Sequence, residues 1–245
     1  MPTITLTDDL NRLLGPSSAR RKSIDDALRS INRLSEHQMF KSVFGDGINI
    51  FSPPDQGQAT CLLVAHYDGD TAHDNAGGVL LALDILRRSS EHATPMAALF
   101  TDMEEVFQQG AAAFLRNLRA HGDDRIAAFC PVVCIDGIGG GDSMLLRTHD
   151  RAFSYSGTYL RMDADVFREA GHPTFTAFTG LDCIKDGHGS VAAQAIAIET
   201  NAFDIYRWME GAGEILATVL PLASSLPDSW IMYQQNHEET AKAAS

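Results

Sequence analysis

The sequence predicts a single α/β domain, with a mostly parallel central sheet and helices on both of its faces. Three observations carry that prediction. Short apolar runs recur at 60–65, 95–101 and within 126–135, and strands buried on both faces read as such runs. Amphipathic segments of helical period lie between them, at 75–88 and 105–120. The alternation continues along 245 residues with no internal repeat and no low-complexity linker, which is the pattern of a sheet covered on both sides.

Taken in order, residues 1–21 are polar, with Arg20, Arg21 and Lys22 at their end; they read as a loosely attached N-terminal arm or a short helix. A helix over 23–34 follows, capped by Ser23, with Ile24, Ala27, Leu28, Ile31 and Leu34 on one face. Residues 40–51 read as a hairpin turning at Gly45-Asp46-Gly47. A proline-containing loop over 52–58 leads into the buried strand at 60–65. Asp74 is read as the N-cap of the 75–88 helix, whose stripe Val79, Leu83, Leu86 faces the core and whose end carries Arg87 and Arg88. The 105–120 helix stops at Gly122. The strand within 126–135 ends at Asp136, and 137–142 is a glycine loop. Further on, 143–147 reads as a strand, 160–170 as a helix, 174–178 as a strand, 192–198 as either, and 203–220 as a helix before Pro221. The C-terminal tail is 223–245, of which 227–245 is expected to form a short terminal helix.

Composition narrows the function classes. Apolar residues make up 44% and charged residues 21%, an ordinary globular balance. A formal net charge of −13 opposes nucleic acid as a main partner, because a phosphate backbone needs a basic surface. No apolar run reaches 18 residues, and the first residues lack a basic, then apolar, leader pattern. The cysteines Cys61, Cys130, Cys134 and Cys183 form no CxxC pair, so a reduced, cytoplasmic protein without a membrane partner is expected.

Chemistry concentrates where the apolar runs end. The first gives His66-Tyr67-Asp68, the second Glu104-Glu105 and the third Asp136. In a parallel sheet these ends share one edge, the usual place for a site. Strand residues two apart face the same way, so Asp68 is placed to orient the His66 imidazole. Asp74 joins from the helix start. One histidine and several carboxylates suit zinc or another divalent first-row ion. An aspartate between two such ions can bridge them at about 3.5–4 Å. Of two adjacent glutamates, one can bind metal while its neighbour takes a proton from water. Other features fit less well. Gly139-Gly140-Gly141 lacks dinucleotide spacing, no Gly-x-Ser-x-Gly elbow occurs, and His37, His73, His92, His121 and His149 read as solvated. Tyr155 and Tyr159 read as packing residues.

The ordered set His66-x-Asp68, Asp74-Asn75-Ala76-Gly77-Gly78, Glu104-Glu105 and Ile135-Asp136 resembles metallopeptidase family 28 over residues 59–138. That family holds co-catalytic zinc aminopeptidases and includes animal glutaminyl cyclases. The resemblance implies a zinc-exopeptidase-like fold (phosphorylase/hydrolase-like) holding one or two zinc ions. It implies His66 and Asp136 on one metal, Glu105 on the other and Asp74 bridging. Glu104 would be the general base and Asp68 would orient His66. The implied reaction is hydrolysis of an amide beside a free amino group, on a peptide or small amide.

The sequence departs from the family pattern in two places. The His66–Asp74 gap is short, and the late His-Thr motif is absent. Two alignments stay open. If 167–173 is the family's Gly-Ile-Pro region, His188 is the last ligand. If Asp186-Gly187-His188 replaces the Ser-Asp-His segment, the ligand is Glu199 or His237, or is missing. Two other functions therefore stand beside hydrolysis: glutaminyl-cyclase-like aminoacyl transfer, and a non-catalytic peptide- or partner-binding descendant with a decayed metal site. The short chain leaves little sequence for a lid, so an open site or one completed in a homo-oligomer is expected.

Overall fold

The structure is a computed structural model that describes residues 13, 16–69, 72–89, 95–127, 130–136, 143–148, 154–155, 158–159, 162–179 and 231–234. Helix α1 (Ser17–Ser30) precedes a hairpin of β1 (Glu36–Ser42) and β2 (Gly45–Ser52). Strand β3 (Cys61–His66), helix α2 (Ala72–Ser89), β4 (Met96–Thr101), helix α3 (Gln109–His121) and β5 (Val132–Ile135) follow in βαβ order. Next come β6 (Ser143–Thr148), the two-residue strands β7 (Ser154–Tyr155) and β8 (Thr158–Tyr159), helix α4 (Asp163–Glu169), β9 (Thr174–Thr179) and β10 (Ile231–Gln234). Eight strands form one sheet in the order β1-β2-β4-β3-β5-β9-β6-β10. Its centre, β4-β3-β5-β9, is parallel, and an antiparallel pair extends it on each side.

The apolar runs are explained by burial on two sides. Cys61, Leu63 and Ala65 face a core layer shared with Ile24 and Leu28 of α1 and Val79, Leu83 and Leu86 of α2. Leu62 and Val64 face the opposite layer, built on Phe114 of α3 and Phe167 of α4. Strands β4 and β5 alternate in the same way: Phe100 and Ile135 face the first layer, Leu99 and Val132 the second. In the second layer the Phe114 ring lies 5.2 Å from Phe51 and 6.3 Å from Phe167.

Several boundaries differ from the sequence expectation. Helix α1 begins at Ser17, so the end of the 1–21 segment takes the helical alternative and is continuous with the helix expected from Ser23; Pro16 takes the N-cap position. Ser23 lies inside the helix and its hydroxyl donates to Ala19 O at 3.0 Å rather than capping. The hairpin turns at Val43-Phe44, because Ser42 pairs with Gly45 and Phe40 with Gly47. Gly47 instead lies under the Phe40 ring, which a Cβ there would meet at 2.2 Å and turn aside. Helix α2 starts at Ala72, so Asp74 is in its first turn and is not the N-cap. Helix α3 starts at Gln109, four residues late, since Phe107 and Gln108 have left-handed backbone. Strand β10 occupies part of the tail expected to be helical, pairing with β6 and so meeting that strand's hydrogen-bonding groups.

Candidate active site

The parallel register brings the three chemical strand ends together. His66 pairs with Thr101 across β3 and β4, and Val64 with Cys134 across β3 and β5. His66, Glu104 and Asp136 therefore emerge from one edge. They line one small cavity with Val64, Cys134, Met162 and Asp163. His66 is 5% exposed and Asp136 8%. The imidazole lies between two acids. Its Nε2 is 3.4 Å from Asp136 Oδ1, and its Nδ1 is 3.4 Å from Asp68 Oδ1. Asp68 has a second task, since its Oδ2 accepts a hydrogen bond from Glu105 N–H at 3.3 Å. It thus joins the histidine strand to the glutamate loop.

Two supports hold the loop after His66 and the helix beyond it. The buried Arg20 guanidinium donates to three successive carbonyls: Tyr67 O at 2.7 Å, Asp68 O at 3.2 Å and Gly69 O at 3.1 Å. Gly78 of α2 lies against the end of β5. A Cβ there would be 2.7 Å from Ile135 O, so glycine lets the helix that carries Asp74 approach the strand that ends at Asp136.

Charge in this cavity is lopsided. Asp68, Glu104, Asp136 and Asp163 are buried around one imidazole, with Glu105 exposed at the rim. Burial, the largest cause, and the neighbouring charges of Asp163, Asp136 and Glu105 push the Glu104 carboxyl up to about 9, against a smaller opposing pull from His66. Burial also raises Asp163, to about 7, although the Thr101 hydroxyl donates to its Oδ2 at 2.6 Å. For His66, burial favours the neutral ring; the close carboxylates of Asp136, Asp68 and Glu104 outweigh it, so the imidazole is raised well above its usual range.

The donor set fits a divalent cation. One ligand atom each from His66, Glu104 and Glu105 lie within 4.8 Å of one another. Among the described residues, His66 Nδ1, Asp68 Oδ1 and Asp163 Oδ1 are buried with no hydrogen-bond partner, a costly state for polar atoms. The 3.4 Å between His66 Nε2 and Asp136 Oδ1 is long for a hydrogen bond. It suits two ligands of one tetrahedral zinc, whose bonds of about 2.0–2.1 Å set ligand atoms about 3.3–3.4 Å apart. A cation here would also compensate the excess of buried carboxylates.

Of the residues expected from sequence, His66, Asp68, Glu104, Glu105 and Asp136 are brought together. The backbone of Asp74 lies in α2; its side chain, and His188, Glu199 and His237, lie outside the described residues. The sequence reading missed Asp163 and Arg20. Asp163 opens α4 just ahead of Gly171-His172-Pro173, so the signal was an acid shortly before a strand. Arg20 carried only its basic charge as a clue. The buried Cys61, Cys130 and Cys134 are free thiols, as expected, and among the described residues no helix is long and apolar enough to cross a membrane.

Comparison with known proteins agrees with this arrangement. No curated protein sequence matches the chain. Among solved structures, a Zn-dependent exopeptidase from Parabacteroides distasonis superposes with a TM-score of 0.62 at 16% identity, covering 92% of this chain and 99% of that one. A glutaminyl cyclase from Porphyromonas gingivalis gives 0.62 at 15% identity, over 88% and 96%. The LapA aminopeptidase of Legionella pneumophila gives 0.57 at 11% identity, over 90% and 67%. At these identities the likeness is one of fold. A family profile, however, matches residues 48–187, which include His66, Asp74, Glu104, Glu105, Asp136 and Asp163. With more than half of its length matched, and with the sheet edge those residues share, the chain belongs to peptidase family M28, a family of hydrolases.

Proposed function

We propose that this protein is a zinc-dependent hydrolase that cleaves an amide bond next to a free amino group, in the manner of an aminopeptidase. The observation that carries the reading is the convergence of His66, Glu104, Glu105 and Asp136 on one sheet edge, with the Glu104 carboxyl buried beside the imidazole. His66 and Asp136 would hold one ion and Glu105 a second. Asp74 would bridge them, and His188 would complete the set. Zinc supplies a Lewis acid that polarises the scissile carbonyl and makes the attacking water more acidic.

The remaining work belongs to the chain's own side chains. Glu104 takes the proton of the attacking water at a carboxylate oxygen and returns it to the leaving amine. Asp68 holds the Nδ1 edge of His66, leaving Nε2 toward Asp136.

Aminoacyl transfer is the second reading, favoured by one observation: the fold matches glutaminyl cyclases as well as exopeptidases. The two reactions differ in the attacking atom, water in one and the substrate's own amine in the other. Mass spectrometry of a zinc-loaded reaction with a glutamine-initiated peptide separates them. Release of free glutamine supports hydrolysis. A pyroglutamyl peptide with loss of ammonia would replace it with cyclisation. An unchanged peptide, across a panel of N-terminal residues, would favour a binding protein.

A further inference from the structure

Glu104 and Glu105 sit on a loop whose backbone is held in an unfavourable shape. Between β4 and α3, three non-glycine residues have left-handed φ: Met103 at 59°, Phe107 at 60° and Gln108 at 52°. That conformation costs a side-chain-bearing residue free energy each time, and it persists only where the surroundings impose it. The loop carries hydrogen bonds of its own, Gln108 N–H to Glu104 O at 2.9 Å and Gln109 N–H to Met103 O at 3.0 Å. They close the loop but do not fix it to the sheet.

Asn49 of β2 makes that connection. It is fully buried. Its Oδ1 accepts from Asp102 N–H at 3.2 Å, and its Nδ2 donates to Gly110 O at 2.8 Å. One amide side chain therefore joins both ends of the glutamate loop, at residues 102 and 110, to the neighbouring strand. The closeness demands glycine at 110, where a Cβ would stand 2.2 Å from Asp102 O and 2.7 Å from Asn49 Oδ1. Next to it, Ile48 N–H donates to Asp102 Oδ2 at 3.0 Å.

We infer that Asn49 is a positioning residue: by clamping both ends of the 102–110 loop it holds Glu104 and Glu105 in register with His66 and Asp68. It needs the amide because one donor and one acceptor are used at once. An aspartate has the same shape but no donor for Gly110 O. The inference rests on the metal-site reading above for its functional consequence, and on hydrogen bonds alone for its structural one.

The test uses the full chain with Asn49→Asp, and Asn49→Ala with and without Phe107→Gly. Phe107 is exposed, and glycine there removes one left-handed penalty without touching the acids. Hydrogen exchange followed by mass spectrometry reads the metal-free protein, and competition with a chromophoric chelator reads zinc affinity. Exchange protection is expected to fall over 102–110 and to remain in β3, β4 and β5. Zinc affinity is expected to fall about 10–100-fold, as when a partner that orients metal ligands is lost. Phe107→Gly is expected to recover part of that loss. A merely structural role would lower the melting temperature and leave zinc affinity of the folded protein unchanged; that result overturns the inference. So does a loss of protection throughout the sheet, or none in the loop. If the wild type takes up no zinc, the metal reading fails, while loop exchange still decides whether Asn49 is the clamp.

Discussion

Replacing Glu104 with glutamine removes the proposed base and is also expected to make the metal-free protein more stable. The sign follows from the proton. Glu104 rises from an ordinary value of 4.5 to about 9 in the fold. Between those limits the folded chain holds a proton that the unfolded chain has released. Stability is therefore lost as pH rises through this window, by about 1.4 kcal/mol per pH unit for one such group. At pH 7 the accumulated loss is about 3 kcal/mol. Glutamine keeps the shape and carries no charge, so Glu104→Gln escapes most of it. For a chain of this length, 1 kcal/mol moves the midpoint by about 2–4 °C, so the expected gain is about 6–12 °C. Thermal melts of chelator-treated wild type and variant from pH 4.5 to 9 measure it. The two are expected to agree at the acid end and to separate steadily above it. Asp163, raised to about 7, adds a slope of the same sign that remains in both. In the zinc-loaded state the variant is expected to keep its metal and lose hydrolysis by at least a hundredfold, the common worth of a general base. Parallel melts with no pH-dependent gap would refute the claim that burial and neighbouring acids strain Glu104. Full activity in the variant would refute its role.

Three further outcomes follow from the same geometry. Zinc loading at pH 7 is expected to expel about one to two protons, because the raised Glu104 and His66 hold protons in the metal-free cluster; titration calorimetry in buffers of different ionisation enthalpy counts them, and zero would contradict the cluster. Gly78→Ala is expected to push α2 from Ile135 O and weaken zinc binding about tenfold or more, read by chelator competition, with unaltered affinity showing that the helix approach is not needed. Phe114→Ala opens the layer it shares with Phe51 and Phe167 and is expected to cost about 3–5 kcal/mol in denaturant melts.

The legible part of this protein is the part written in single, local signals. Strands β3, β4 and β5 are apolar without interruption because both faces are buried, and each ends in an acid or a histidine that stands out against the run. Parallel order then places those ends side by side, so His66, Glu104 and Asp136 could be grouped before any coordinates. Asp163 was not legible in the same way. It precedes a short helix, and only the packing of α4 beside β5 and β9 brings it to Thr101 and the cavity. Arg20 stands in a polar, basic stretch, and its three carbonyl acceptors carry no sequence signal. Turn and helix starts were misplaced for a related reason. The Gly45-Asp46-Gly47 signal is strong, but Gly47 serves the Phe40 ring, and the late start of α3 depends on backbone strain held by Asn49 from another strand.

Metal-dependent hydrolysis at this sheet edge is tested most simply by the turnover of a panel of aminoacyl p-nitroanilides by the purified chain, before chelation, after chelation and after re-addition of zinc alone. Release of nitroaniline that chelation abolishes and zinc restores is expected. Activity that survives complete chelation, or no activity on any member with zinc shown to be bound, would contradict it.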